Sequence, residues 1–285
     1  MNQEIIDLYD EFTHTAMGRR SFMEKLVAMT GSVVAAETAL SALQPNYALA
    51  AVVSETDARL GISSGSDAAS GLKIYTATPK GTKPEAAANL VIIIHENRGL
   101  NPHIQDVARR LALAGFTAVA VDLLTPQGGT PADEDKARDM FPKLDLTKAV
   151  ASVVTIIDDR KKQNPAAKVG LLGFCWGGSM VNAVATAAPA LDAAVVYYGA
   201  APKTEDVANI KAKMMLHYAG LDKRVNETMG PYEEAMKKAR VKYEIFVYDN
   251  VNHGFNNDTA KERYADAASK LAWSRTTEFF KIALR

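Results

Sequence analysis

The chain has a single cysteine among its 285 residues, Cys175, so no intramolecular disulfide and no multi-cysteine metal site can form. Core packing or chemical reactivity is what remains for that thiol. Net charge is missing too: 33 Lys and Arg balance 33 Asp and Glu, which leaves no positive field to draw nucleic acid or anionic lipid. No apolar run approaches the ~20 residues that cross a bilayer as a helix, which argues against a permanent membrane anchor. His14, His103 and His217 form no metal-ligand spacing with one another and read as structural. The glycines never assemble a phosphate-cradling loop ending in Lys-Ser or Lys-Thr, so neither a metal nor a nucleotide cofactor is implied. There is no internal repeat and no low-complexity tract.

A hydrophobic content of 48% is enough for one sizeable core with residues left over for an appended segment. Residues 1–55 are expected to form a helical N-terminal extension or a signal, and residues 56–285 the catalytic domain. Within the extension, Ile5, Ile6, Leu8, Tyr9 and Phe12 recur at helical spacing and predict an amphipathic helix packed on the domain. The stretch Gly18-Arg19-Arg20-Ser21-Phe22-Met23-Glu24-Lys25 resembles a twin-arginine export signal, followed by the apolar Leu26-to-Ala36 run and a small-residue Ala48-Leu49-Ala50 site. Glu37 interrupts the apolar stretch. A retained extension implies a cytoplasmic protein, a working signal an exported one.

From about Leu60 the chain alternates apolar runs with helical patterns, which predicts an α/β fold with a mostly parallel sheet covered by helices on both faces. Gly61 to Gly71, rich in Ser and Gly, reads as a turn-bearing lead-in to a strand at Leu72-Lys73-Ile74-Tyr75. Leu90 to Ile94 is a continuous apolar run expected of a strand buried on both faces. The pattern continues with helix His103–Ala114, strand Phe116–Val121, helix Leu146–Asp159 and strand Lys168–Gly173. A helix from Trp176 follows, then strand Ala193–Tyr198, strand Lys213–Tyr218, helix Pro231–Ala239, strand Tyr243–Tyr248 and a closing helix from about Asp258 to Leu284. Thr125 to Lys143 is expected to be a long loop facing substrate.

Gly173-Phe174-Cys175-Trp176-Gly177-Gly178 lies between a predicted strand and a predicted helix, in the frame of a Gly-x-nucleophile-x-Gly elbow. Such a turn strains the backbone of the nucleophile and needs glycine on either side for helix and strand to approach. The helix N-terminus behind Cys175 favours negative charge there, which suits a thiolate. A nucleophile needs a base, and His253 sits in the loop after the last predicted strand. Asp222, just beyond the strand ending at Tyr218, completes the chain order nucleophile, acid, histidine; Asp249 and Asp258 are the other acids near His253. His95-Glu96-Asn97-Arg98-Gly99 follows the best strand, where an oxyanion loop belongs. The backbone N–H groups of Asn97 and Trp176 are therefore the candidate oxyanion donors. Glu96 is a possible acceptor for the thiol proton, with Arg98 as its possible partner.

At these residues the sequence resembles the dienelactone hydrolase family of α/β-hydrolases, whose members carry cysteine in a Gly-x-Cys-x-Gly-Gly elbow. The resemblance runs from about Leu60 to the C-terminus and rests on Glu96, Cys175, Asp222 and His253. It implies that a glutamate at position 96 takes the thiol proton when substrate binds, that the thiolate attacks the carbonyl of a small ester or lactone, and that His253 helps water release the acyl group. The family's substrate-binding arginines match less well: Phe255-Asn256-Asn257-Asp258 stands where one is expected, and another aligns only loosely with Arg138. Arg98 and Arg138 are the substrate-binding candidates. A thioesterase or other acyl hydrolase would use the same residues, and a non-catalytic scaffold or binding protein could keep the fold alone. A scaffold, however, has no need of nucleophile, acid, base and oxyanion loop together.

Overall fold

The computed structural model describes residues 1–15, 17–47, 52–84 and 89–285. The small-residue site Ala48-Leu49-Ala50 lies outside them. Three helices open the chain: α1 (Gln3–His14), α2 (Arg19–Thr30) and α3 (Val33–Leu43). Asn2 caps α1 through Glu4 N–H, Ser32 caps α3 through Ala35 N–H, and Gly31 ends α2 in the left-handed region at φ 83. Their apolar faces share a core of their own, in which Ile6, Leu8, Tyr9, Phe12, Phe22, Leu26, Leu40 and Leu43 are buried. The arginine pair that resembles an export signal is the first turn of α2, a helix folded into this cluster. No single helix among the described residues is long and apolar enough to cross a membrane.

The rest is a sheet of eight strands in the order β1-β2-β4-β3-β5-β6-β7-β8. They span Leu60–Ser66 (β1), Lys73–Pro79 (β2), Asn89–Ile94 (β3), Thr117–Asp122 (β4), Lys168–Phe174 (β5), Ala193–Tyr197 (β6), Lys213–Ala219 (β7) and Tyr243–Tyr248 (β8). β1 pairs antiparallel with β2, and β2 antiparallel with β4; every other pairing is parallel. Alternation along β3 sends Val91 and Ile93 to one face and Leu90, Ile92 and Ile94 to the other. Helices α4 (Pro102–Leu113) and α10 (Asp266–Ala283) cover the first face through Ile104, Val107, Leu111, Phe279 and Phe280. On the second face lie α6 (Leu146–Gln163), α7 (Trp176–Ala187) and α9 (Met229–Ala239), through Val153, Ile157, Val181, Val184 and Met236. This is the mostly parallel sheet with helices on both faces expected from the alternation of strands and helices, and the α/β-hydrolase fold that the family resemblance implies.

Three expectations need correction. Gly61 to Gly71 is not merely a turn-bearing lead-in, because its first half is the edge strand β1, whose backbone pairs with β2 from Leu60↔Pro79 to Ser66↔Lys73. The stretch Thr125–Lys143 is not a bare loop: Asp133 accepts hydrogen bonds from Asp135 and Lys136 N–H and so starts a short helix, α5 (Glu134–Met140). The closing helix begins at Asp266, eight residues later than read from the sequence, since Asn257 and Ala260 hold the preceding segment in turns.

Candidate active site

Parallel strands end on one edge of the sheet, and the loops leaving β3, β5, β7 and β8 meet there. Cys175 follows β5 at φ 56, ψ −121, a backbone conformation uncommon for any residue with a side chain, and α7 starts at the next residue. The flanking glycines make the turn possible. A Cβ on Gly173 would stand 2.7 Å from Val181 Cγ2, and one on Gly177 would stand 2.5 Å from the Ile94 carbonyl oxygen. The elbow anticipated from Gly-x-Cys-x-Gly is therefore the observed geometry.

His253 and Asp222 come together from the loop after β8 and the end of β7. His253 Nδ1 and Asp222 Oδ2 are 2.5 Å apart, both side chains buried. Asp222 Oδ1 also accepts a hydrogen bond from Val225 N–H at 3.1 Å, capping α8 (Lys223–Asn226). Burial alone would raise the Asp222 pKa, but the charge and hydrogen bond of His253 win and hold the carboxyl below its usual range. His253 Nε2 is buried and has no hydrogen-bond partner. Neither of the alternative acids takes this place: Asp258 pairs with Arg110 and, at 3.2 Å, with His103, and the acid bonded to His253 is Asp222.

The loop after β3 is pinned by a residue to which the sequence gave no role. His95 Nε2 accepts Leu123 N–H at 3.1 Å, so its Nδ1 carries the proton and donates to the Glu96 carbonyl at 2.8 Å. The Glu96 carboxylate accepts a hydrogen bond from Asn257 Nδ2 at 2.9 Å, and it lines the same small cavity as Cys175 and His253. Arg98 does not supply the pairing expected for Glu96. Its guanidinium turns to Glu134 on α5, Nε to Oε2 3.5 Å, where burial is compensated by a carboxylate from a different segment. Asn97 donates from Nδ2 to the Thr13 carbonyl at 2.8 Å, and together with Trp176 it lines a larger cleft of about 900 Å³ over Cys175. Arg138 lies on the same wall, its guanidinium 4.3 Å above the Phe12 ring and bonded to Asp139 at 3.1 Å.

The largest departure from the sequence reading is His14. Expected to be structural, it reaches from the end of α1 to the elbow and places Nε2 3.0 Å from Cys175 Sγ. Its Nδ1 meets Asp10, 2.8 Å from the carbonyl and 3.1 Å from Oδ1. Burial opposes a charge on this imidazole and so does His253, yet the Cys175 sulfur and Asp10 outweigh them and raise the His14 pKa. The rings of His14 and His253 are 4.5 Å apart. Only the long-range contact identifies His14, for nothing in the spacing of residues 1–55 marks it. His103 and His217 are structural as expected: His103 is buried against Asp258, and His217 is buried between Tyr248 and Thr276. Among the described residues, Cys175, His14 and His253 form the one group with the donor types of a soft-metal site. Two ligands of a tetrahedral zinc are about 3.5 Å apart. The Sγ–Nε2 separation of 3.0 Å is that of a hydrogen bond.

A family model described as the dienelactone hydrolase family matches residues 72–284, the whole segment that builds this elbow, its acid–histidine pair and its glutamate. The chain belongs to the dienelactone hydrolase family. A provisionally named carboxymethylenebutenolidase of Salmonella typhi is 31% identical over 222 residues, covering 72% of this chain and 81% of its own length. Among solved structures, a provisionally named dienelactone hydrolase from Klebsiella pneumoniae superposes with a TM-score of 0.70 at 26% identity, covering 78% of this chain and 98% of that one. The dienelactone hydrolase from Anabaena variabilis shares the fold, with a TM-score of 0.60 at 20% identity over 80% of this chain and all of that one. The chain is thus a dienelactone hydrolase-like hydrolase of the carboxylic ester type, acting on small-molecule substrates. Its α1–α3 segment lies outside the residues that the family model matches.

Proposed function

We propose that this hydrolase cleaves a small ester or lactone by covalent catalysis, with Cys175 as nucleophile in a triad with His253 and Asp222. The observation that carries the reading is the buried 2.5 Å His253–Asp222 contact beside a cysteine held at φ 56. With its Nδ1 proton fixed by Asp222, His253 presents a lone pair at Nε2, and that atom has no partner to compete for it. Attack of Sγ on the carbonyl carbon makes a tetrahedral oxyanion. Its collapse expels the alcohol and leaves a thioester on Cys175; water deprotonated by His253 then attacks the thioester and releases the acid. The backbone N–H groups of Trp176 and Asn97 are the proposed oxyanion donors, each worth about 3 kcal/mol of transition-state stabilisation.

Glu96 stands in the small cavity beside Cys175 and His253 with one oxygen tied to Asn257, and its proposed role is to stabilise the charged site at close range. For substrate, the cleft combines Phe141, Leu144 and Trp176 with Arg138, whose Nη1 makes no hydrogen bond and stands 3.7 Å from Asp135, a long ion pair that a substrate acid can displace. That lining favours an ester with an apolar body and an acidic group able to reach Arg138. Arg98 is absent from this cleft but lines the small cavity beside Cys175, where it pairs with Glu134, so in this reading Arg138 is the arginine that meets the substrate's acidic group. Hydrolysis of a panel of chromogenic esters and lactones, with and without a carboxylate, tests the proposal. Preference for the carboxylated members, lost in Arg138→Ala, supports it; activity on none of them refutes it.

A further inference from the structure

We infer that His14, carried by the N-terminal helix, is a second catalytic histidine: it takes the proton of the Cys175 thiol, and Asp10 positions it for that step. The inference rests on the proposed role of Cys175 as nucleophile. The thiol contacts His14 Nε2 at 3.0 Å, while His253 Nε2 has no hydrogen-bond partner. Each imidazole has a carboxylate beside its Nδ1: Asp222 hydrogen-bonds that of His253, while the Asp10 carboxylate lies 3.1 Å from that of His14, whose hydrogen bond runs to the Asp10 carbonyl at 2.8 Å, so two oriented bases face one sulfur from different elements. One of them is sufficient for an ordinary triad. Two allow the steps to be divided.

In that division, the proton leaves Sγ for His14 Nε2, and the thiolate forms the S–C bond as the carbonyl π electrons move to oxygen. When the intermediate collapses, the C–O bond breaks and the leaving alkoxide takes the proton from the His14 imidazolium. His253, still neutral, then removes a proton from water as hydroxide adds to the thioester. The C–S bond breaks, the acid departs, and the proton on His253 returns to sulfur. No oxidant or further reactant is needed.

The placement of His14 is built rather than incidental. Helix α1 is tied to the catalytic loops at three points beyond the imidazole: Gln3 Nε2 donates to Asn252 Oδ1 at 2.5 Å, Arg224 pairs with Asp10 at 3.5 Å, and Asn97 Nδ2 donates to the Thr13 carbonyl. Phe12 and Tyr9, a turn earlier, are buried in the extension's own core. His14 is not a plug, because the cleft of about 900 Å³ still opens onto Cys175 with the imidazole in place. The charged groups around it balance a proton transfer. Cys175, His253 and Asp10 touch the ring or its edge; Glu96, Arg98 and Arg263 line the adjoining small cavity, and Arg224 backs Asp10. Removal of the residues before Ala51, as an export cleavage would do, takes away both Asp10 and His14.

The lone cysteine makes the test direct. Alkylation of Cys175 by iodoacetamide and hydrolysis of a chromogenic acetyl ester are measured from about pH 5.5 to 9 in the wild type, His14→Gln, Asp10→Asn and Cys175→Ala, all of full length. At about pH 6.5 alkylation is expected to be at least about tenfold slower in His14→Gln, with the gap closing by about pH 9, where a free thiol ionises unaided. The ester's acylation rate should fall in the same ratio. Asp10→Asn keeps the imidazole and should show a smaller shift in the same direction, so the test survives if one variant does not fold. Alkylation and turnover in both variants matching or exceeding the wild type, while Cys175→Ala is inactive, would overturn the role of His14. Activity in Cys175→Ala would sink the nucleophile itself, a distinct outcome.

Discussion

Replacing Asp222 with Asn probes the proposed triad with almost no change of shape. In the folded chain Asp222 uses one oxygen for His253 Nδ1 at 2.5 Å and the other for Val225 N–H at 3.1 Å. An amide has one oxygen. If that oxygen keeps the helix cap, the NH₂ group faces His253 Nδ1, which must become the acceptor, and the imidazole proton moves to Nε2, the atom that has to receive one. The corresponding exchange in Ser-His-Asp enzymes lowers kcat by about 10⁴-fold, or roughly 5.5 kcal/mol at 1.36 kcal/mol per decade. Because a second histidine contacts the thiol here and can still serve acylation, a loss of about 10² to 10⁴-fold is expected, falling mainly on deacylation. The thermal midpoint should barely move, since the cap survives. Asp222→Ala loses the cap as well and should be less stable by about 1 kcal/mol. Hydrolysis of a chromogenic acetyl ester, followed by single-turnover and steady-state kinetics beside thermal melts, makes the measurement. A folded Asp222→Asn enzyme within about threefold of wild type would refute the reasoning, because such a small effect is incompatible with a tautomer-fixing carboxylate.

Three further outcomes are expected. Gly177→Ala drives a Cβ against the Ile94 carbonyl oxygen, a backbone atom that cannot swing aside, and should destabilise the chain by roughly 3 kcal/mol or more in urea unfolding. His217 is fully buried, and burial followed by the charge of Arg275 pushes its pKa down to about 3. The folded state therefore keeps it neutral while the unfolded chain takes up a proton near pH 6.5, so its contribution is complete above that value and lost as pH falls toward 3. The wild type should lose about 2 kcal/mol more than His217→Gln between pH 7 and pH 5, and equal losses would contradict the assignment. Phe12→Ala removes a ring stacked 4.2 Å from Phe22 and lying under Arg138; limited proteolysis should cut the N-terminal helices well before the sheet, with a local loss of roughly 3 kcal/mol.

What the sequence discloses and what it hides follows the range of the forces involved. The elbow is legible because Gly173, Cys175 and Gly177 form a compact five-residue pattern, although the Ile94 carbonyl that bars a side chain at Gly177 comes from another strand, and β3 because five consecutive apolar residues admit few other readings. Asp222 is legible through chain order. β1 is not, since its Leu-Gly-Ile-Ser-Ser-Gly-Ser stretch is mostly exposed and exists through backbone pairing with β2, which no side-chain pattern records. Helix α5, seven residues long, is too short for periodicity to distinguish it from loop, although its Asp133 cap is a local signal that could have found it. That helix then supplies Glu134, the partner that draws Arg98 away from Glu96. His14 is the extreme case: it lies 161 residues from Cys175 in the chain, and only the docking of α1 on the catalytic loops brings the two together.

The proposed chemistry requires a covalent bond to Cys175, and intact and peptide mass spectrometry tests for that bond most directly. A chromogenic acetyl ester is mixed with the His253→Gln variant, in which acylation can proceed and water activation cannot. The predicted result is a stoichiometric burst of chromophore and a mass increase of one acetyl group on the peptide holding Cys175, absent in Cys175→Ala. Undiminished turnover by Cys175→Ala, or an acetyl group found on another residue, would contradict the claim.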